Sequence, residues 1–233
     1  METQIEKLKK EIRSMRVYMF VLTAVLLLFA FLAFTPGNAP GVLRVKGIVI
    51  IDSLGKERIL IGAPVPYSAN RVRTDSARAA QAWDKRFPLG GNYRDYYKDY
   101  NHSTNGILIL DENGYDRVAL GAPVPDPNIG KRIGPGTGII VNDEEGMERT
   151  GYGLLNVNGK NRVILSLHTN KEEEGVSLVA REDGTAGLMV MDDKKMSFFG
   201  KVDTANFVSN KKMNGVLIKD GDKVKYDFNM LGK

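Results

Sequence analysis

Not one of the 233 residues is cysteine. That single absence excludes disulfides, thiolate metal sites and cysteine nucleophiles together. A domain exported without disulfides must be held by its own core or by oligomerisation, which favours a bacterial or archaeal envelope over eukaryotic secretion. Histidine is nearly as scarce. His102 and His168 are the only two, far apart and in no His-Glu-x-x-His pattern, so no metal and no cofactor is expected. A Gly-x-Ser-x-Gly elbow, a P-loop and a dinucleotide fingerprint are all missing. The 28 acids would let some carboxylate pair hydrolyse a glycoside, but no spacing singles one out. A hydrolase of unknown type is therefore the third reading, no catalytic residue is assigned, and the chain is expected not to be an enzyme.

Charge is missing from one stretch in particular. Residues 17–34 read VYMFVLTAVLLLFAFLAF without a single charge. Eighteen residues at a helical rise of 1.5 Å span ~27 Å, close to the hydrocarbon thickness of a bilayer. A buried core helix of this length would carry a polar stripe. A cleaved signal peptide would have a shorter apolar run ending at a small-x-small site, and Asn38-Ala39-Pro40 is a poor one. The expectation is an uncleaved transmembrane anchor, with Tyr18 at its boundary. Lys7, Lys9, Lys10, Arg13 and Arg16 precede the span, and no charge follows it until Arg44. The basic flank places the N-terminus in the cytoplasm and the rest outside.

Residues 1–16 are expected to form a cytoplasmic amphipathic helix. Ile5, Leu8, Ile12 and Met15 fall at spacings of 3, 4 and 3, a coiled-coil seam. Such a seam suits a helix lying on lipid headgroups or a parallel bundle of several copies. The same register continues through Met19, Leu22, Leu26 and Phe29, where every position is apolar. Residues 35–41, TPGNAPG, are an uncharged linker.

The net charge of +5 is local. Residues 1–16 hold five basic against three acidic residues, and residues 67–104 hold seven against four; the remainder balances. A general nucleic-acid footprint is excluded.

From residue 42 to 233 the pattern is that of strands and turns, with many of the 25 glycines in turn-like contexts. One unit recurs three times. A glycine opens an apolar run, and Asp, Gly, Arg and Gly follow it by 5, 8, 11 and 15 residues. The three units place Asp52, Gly55 and Arg58, then Asp111, Gly114 and Arg117, then Asp143, Gly146 and Arg149 in equivalent positions. Asp-x-x-Gly suits a type I turn with glycine at the position needing positive φ, so each unit reads as a β-hairpin. The apolar arms are continuous and not strictly alternating, which predicts strands covered on both faces. Four further turn signals follow, the first around Asn158-Gly159, where Arg162 keeps the Gly-x-x-Arg step. The fold class expected is an all-β domain of repeated hairpins, a meander or a solenoid-like stack. The repeated arginines are expected to pair with carboxylates on neighbouring strands or subunits. The loop from Asp111 to Asp116 has oxygen ligands but neither the spacing nor the closing Glu of a calcium loop.

Residues 67–105 interrupt the first two units, and a second, shorter insertion of residues 126–137 leaves from the same point of the repeat, on the same predicted side. In the first, Asp75 caps a predicted helix over 76–83. Trp83, Phe87, Tyr93, Tyr96, Tyr97 and Tyr100, interleaved with Arg94 and other cations, are the candidate contact residues; aromatics and arginine give large contact area at low entropic cost. They would stack on a ligand or close the β-domain as a satellite core. Two functions remain open beside the hydrolase. One is a membrane-anchored structural or accessory protein whose external domain forms a homo-oligomer, a trimer among the possibilities, or joins a larger envelope complex. The other is a module that binds cell-wall glycan or another envelope polymer through the aromatic insertion.

Overall fold

The computed structural model describes residues 2–34, 43–86, 92–126, 134–169 and 174–231. The linker assigned to 35–41 lies outside the described residues. The chain divides into two units, Met1–Arg44 and Val45–Lys233.

The first unit contains one uninterrupted α-helix, α1, Glu2–Phe34. Its Thr23 hydroxyl donates to the Met19 carbonyl at 2.8 Å, which satisfies this hydroxyl without a partner outside the helix. Within α1, the stretch Gln4–Phe31 contains a run apolar and long enough to cross a membrane. Every seam residue from Ile5 to Phe29 is exposed.

The second unit is built on a single antiparallel sheet of twelve strands whose order is the order of the sequence. The strands are β1 Gly47–Ile51, β2 Glu57–Gly62, β3 Gly106–Leu110, β4 Asp116–Gly121, β5 Gly136–Asn142, β6 Glu148–Val157, β7 Lys160–His168, β8 Glu174–Arg181, β9 Ala186–Asp192, β10 Lys195–Val202, β11 Met213–Asp220 and β12 Lys223–Asn229. It is an open meander and no solenoid.

The repeat has a common physical basis. Asp52 Oδ1 accepts from the amides of Leu54 and Lys56, and the Gly55 amide donates to the Asp52 carbonyl. Asp111 does the same for Asn113 and Tyr115, and Asp143 for Glu145 and Met147. Gly55, Gly114 and Gly146 have φ of 77°, 86° and 75°, the left-handed step that ends a type I turn and rejoins the partner strand. A β-bulge follows each turn. Ile50 pairs with Ile59 and Ile51 with Glu57, so Arg58 is the extra residue; Arg117 and Arg149 take the same place in their hairpins.

The bulge redirects the arginines, which meet backbone carbonyls as well as the carboxylates expected from the sequence. Arg58 Nε donates 3.0 Å to the Leu110 carbonyl of β3, and Arg117 Nε donates 3.1 Å to the Asn142 carbonyl of β5. Each guanidinium carries the ladder one step past the bulge, with a side-chain donor where the backbone has turned away. The carboxylate partner belongs to the same hairpin: Asp52 for Arg58 at 3.2 Å, Asp143 for Arg149 at 3.8 Å. Arg162 is not an equivalent. Asn158 and Gly159 both have positive φ, a two-residue type I′ turn, and Arg162 sits in unbroken register opposite Leu155 and Arg181.

One face of the sheet is covered by the loops between strands. After β2 and β4 the chain folds back through Ala63-Pro64 and Ala122-Pro123, both cis. Val65 and Val124 are thereby seated against Leu60, Leu108, Leu110, Ala119 and Ile140. At the far end, Val208 from the loop after β10 closes a cluster with Met189, Phe198, Val202, Met213 and Leu217. On this covered face glycines face one another across the ladder: Gly47, Gly62, Gly106, Gly121, Gly138 and Gly153 align in register through β6, and Gly187, Gly200 and Gly215 through β9–β11. A Cβ on Gly138 would lie 2.2 Å from the Tyr152 carbonyl, so the strands approach there more closely than a side chain permits.

Candidate functional site

The insertion is built around α2, Ser76–Trp83, and α3, Tyr93–Tyr97. Asp75 caps α2 by accepting from the amides of Ala77 and Arg78, as the sequence predicts. Asn92 caps α3 by accepting from the Asp95 amide; this short helix is not foreseen, because its five residues are tyrosine-rich and carry no helical period.

Most of the candidate contact residues turn inward. Trp83, Tyr93 and Tyr100 are buried with Val72, Ala79 and Met147, and Tyr97 is half-buried beside them. The Trp83 and Tyr93 rings are 5.2 Å apart, and those of Tyr93 and Tyr100 5.3 Å. Trp83 Nε1 donates 3.0 Å to the Glu145 carbonyl in the turn of the third repeat. The Gly146 backbone passes against this ring, where a Cβ would come within 3.3 Å of Trp83. Arg94 and Tyr96 are exposed, while Phe87 lies outside the described residues. The rings thus form a satellite core over the repeat turns, and Tyr96 is the one candidate ring among the described residues that faces solvent.

Beneath these rings lies an ion cluster whose members share no sequence motif. Arg71 donates to both carboxylate oxygens of Asp116 at 2.7 and 2.6 Å, and Arg73 stands 3.6 Å from the same group. All three residues are buried. Burial opposes ionisation of Asp116, but the Arg71 guanidinium, its hydrogen bonds and Arg73 outweigh it and hold the carboxyl below its usual range. The Arg73 guanidinium also lies 5.2 Å over the Trp83 ring, an attraction to the ring's electron-rich face. Asp116 and Asp111 are thus both engaged by the protein itself, one by arginine and one by backbone amides. Among the described residues no group of three or more His, Cys, Asp or Glu is placed to hold a metal.

His168 Nε2 lies 3.3 Å from Ser166 Oγ and 3.9 Å from Glu148 Oε1. Both neighbours meet the same ring nitrogen, so the acid does not orient the base from its far side as a hydrolytic triad requires.

The opposite face of the sheet is open, contrary to the two-sided cover predicted from the continuous apolar strands. Cross-strand pairing places one residue from every strand in a single row: Ile48, Ile61, Ile107, Leu120, Ile139, Tyr152, Leu165, Leu178, Leu188, Phe199, Val216 and Phe228. All twelve are apolar or aromatic. Two positions further along lies a second row of Ile50, Ile59, Ile109, Val118, Val141, Thr150, Leu167, Val176, Val190, Ser197, Ile218 and Tyr226. Neither row holds a charge. Many of these side chains are well exposed, Tyr152 at 58% and Phe199 at 63%. Near the middle, Tyr152, Val163, Leu165, Leu178, Leu188 and Phe199 line an apolar groove of about 470 Å³.

The sequence hides this strip because its members lie in twelve segments, and only the register shows that they share a face. Comparison with protein-family models, with curated proteins and with solved structures finds no match to the chain.

Proposed function

We propose that this chain is a non-enzymatic, membrane-anchored structural or accessory protein, whose extracytoplasmic sheet domain assembles copies of the chain or joins them to an envelope complex. The observation that carries this reading is the uncharged strip across all twelve strands. With strands ~4.8 Å apart and two rows of side chains ~14 Å tall, it covers roughly 700 Å². The largest apolar patch on a monomer is commonly ~300–600 Å² and usually functional. An apolar face of this width is normally half of a packed core.

The anchor and its orientation rest on the charge-free apolar run of α1 and the five cations before it. Assembly accords also with the exposed seam of α1. Burial of Trp83, Tyr93 and Tyr100 counts against glycan stacking on the insertion.

Mass measurement of the detergent-solubilised full chain tests the proposal. Discrete oligomers, or co-purification with envelope proteins in fixed ratio, are expected; a clean monomer without partners overturns it.

A further inference from the structure

We infer that the open face packs against the same face of a second copy, so that two chains close one β-sandwich around a shared two-fold axis. This rests on the assembly reading above and narrows it to one partner, one surface and one stoichiometry.

Area is the first argument. Two strips of ~700 Å² bury ~1,400 Å² in all, inside the ~1,200–2,000 Å² of stable specific interfaces. Chemistry is the second. The strip consists of Ile, Leu, Val and aromatic side chains with Thr150, Ser197 and no charge, the composition of a domain core cut in half. An identical strip is its best complement, because neither contributes a charge that the other must neutralise. Shape is the third. Sheets twist by ~20° per strand, so a flat bilayer surface meets only part of a twelve-stranded face. A second sheet with the same twist follows it throughout, ~10 Å away at the ~30° angle of aligned sandwiches. The central groove lined by Tyr152, Leu178 and Phe199 offers a socket for side chains of the other copy.

The number two has separate support in α1. Ile5 and Ile12 occupy the first core position of the seam, with Leu8 and Met15 at the second. β-Branched residues at the first and unbranched-at-Cβ residues at the second favour two parallel strands. Glu11 and Arg16 flank the seam five residues apart, where the acid of one helix meets the base of the other.

Any two-fold axis that superposes the strip on itself crosses its middle, which lies between β6 and β7. Tyr152 and Leu165, paired across these strands, must then meet their own counterparts. The cysteine-free chain permits a direct test in the full-length protein within its membrane. Tyr152→Cys, Leu165→Cys, Ile12→Cys and Leu54→Cys are treated separately with a membrane-permeant bis-maleimide, because facing positions ~10 Å apart lie beyond direct disulfide reach, and read on denaturing gels. Leu54 is 81% exposed in a turn, away from the strip. Tyr152→Cys and Leu165→Cys are expected to shift most of the chain to twice its mass, and Leu54→Cys to leave it at single mass. Cross-linking through Ile12→Cys alone would overturn the face-to-face dimer while leaving the assembly reading intact. Capture of either face cysteine at the mass of a foreign protein, or in a trimer ladder, would also overturn it. So would a face cysteine shielded from maleimide by lipid but never cross-linked. No cross-link at any position would overturn the dimer, and the assembly reading would then be decided by the mass measurement of the solubilised chain. Because a cysteine could disturb the groove, Leu178→Lys provides a second measurement: at an exposed site it is expected to keep the circular dichroism of the sheet and convert the dimer to monomer. A charged variant that stays dimeric overturns the inference.

Discussion

Asp116 sits between two arginines in a site sealed by aromatic rings, and its charge is the hinge of that site's energetics. Asp116→Asn leaves Arg71 and Arg73 buried without their counter-charge, a loss of ~3–5 kcal/mol for a broken buried pair. A guanidine titration should show it as a lowered midpoint. The wild-type carboxyl ionises below its usual range in the folded state. Its stabilisation is therefore complete above the unfolded-state value of about 4 and drains away as pH falls further, through the folded one. Unfolding midpoints measured from pH 6 down to pH 2 should fall steeply in the wild type, and the Asp116 component of that slope should vanish in Asp116→Asn. The tyrosines act at the other end of the scale. Burial pushes the Tyr100 phenol up to about 12, and raises Tyr93 and Tyr97 as well. A phenol that ionises later when folded stabilises the protein fully below the unfolded value of ~10, and that contribution is lost as pH climbs through 12. Tyr100→Phe should flatten this alkaline limb in thermal melts; an unchanged limb would show that Tyr100 does not supply it.

Between neighbouring strands the tightest constraint is the aligned glycines. Gly138→Ala would set a Cβ against the Tyr152 carbonyl, and backbone oxygen on a paired strand cannot step aside as a side chain can. Overpacking of this kind typically costs ~1–3 kcal/mol, readable as a shift of the denaturant midpoint; Gly55→Ala, in open space but at positive φ, would owe its whole cost to conformation. The hairpins themselves were legible from Asp-x-x-Gly, because those turns depend on contacts within five residues. Helix α2 was legible for the same reason, from Asp75 and the residues it caps. The bulges were not legible. Arg58 and Arg117 repeat with perfect spacing, yet the sequence cannot say that a register slip aims each at the next hairpin's carbonyl. The ion cluster escaped too, since Arg71 and Asp116 lie 45 positions apart and share no motif. The aromatic cluster could be seen, but whether its rings faced in or out depended on the turns at Gly114 and Gly146, to which they are fitted.

Across the molecule, the two apolar clusters on the covered face lie toward opposite ends of the sheet, one over β2–β5 and the other over β9–β11. The meander leaves β1 and β12 as edges, each with one neighbour. Hydrogen exchange should therefore be fastest in β1 and β12 and slowest in strands flanked on both sides, since edge amides open without disrupting the rest. Uniform protection from β1 to β12 would contradict that gradient and would imply that the edges are themselves paired in the assembly. The sequential strand order also governs how the domain comes into being. Every strand pairs only with the one made just before it and the one made just after it, and except for β2 and β3, which pair across the insertion, those partners are close in sequence. Contacts of such short sequence separation close quickly, and a ribosome releases the chain in the same direction, N-terminus first. The sheet can thus grow by accretion, each hairpin laid against a finished edge while the remainder of the polypeptide is still being synthesised.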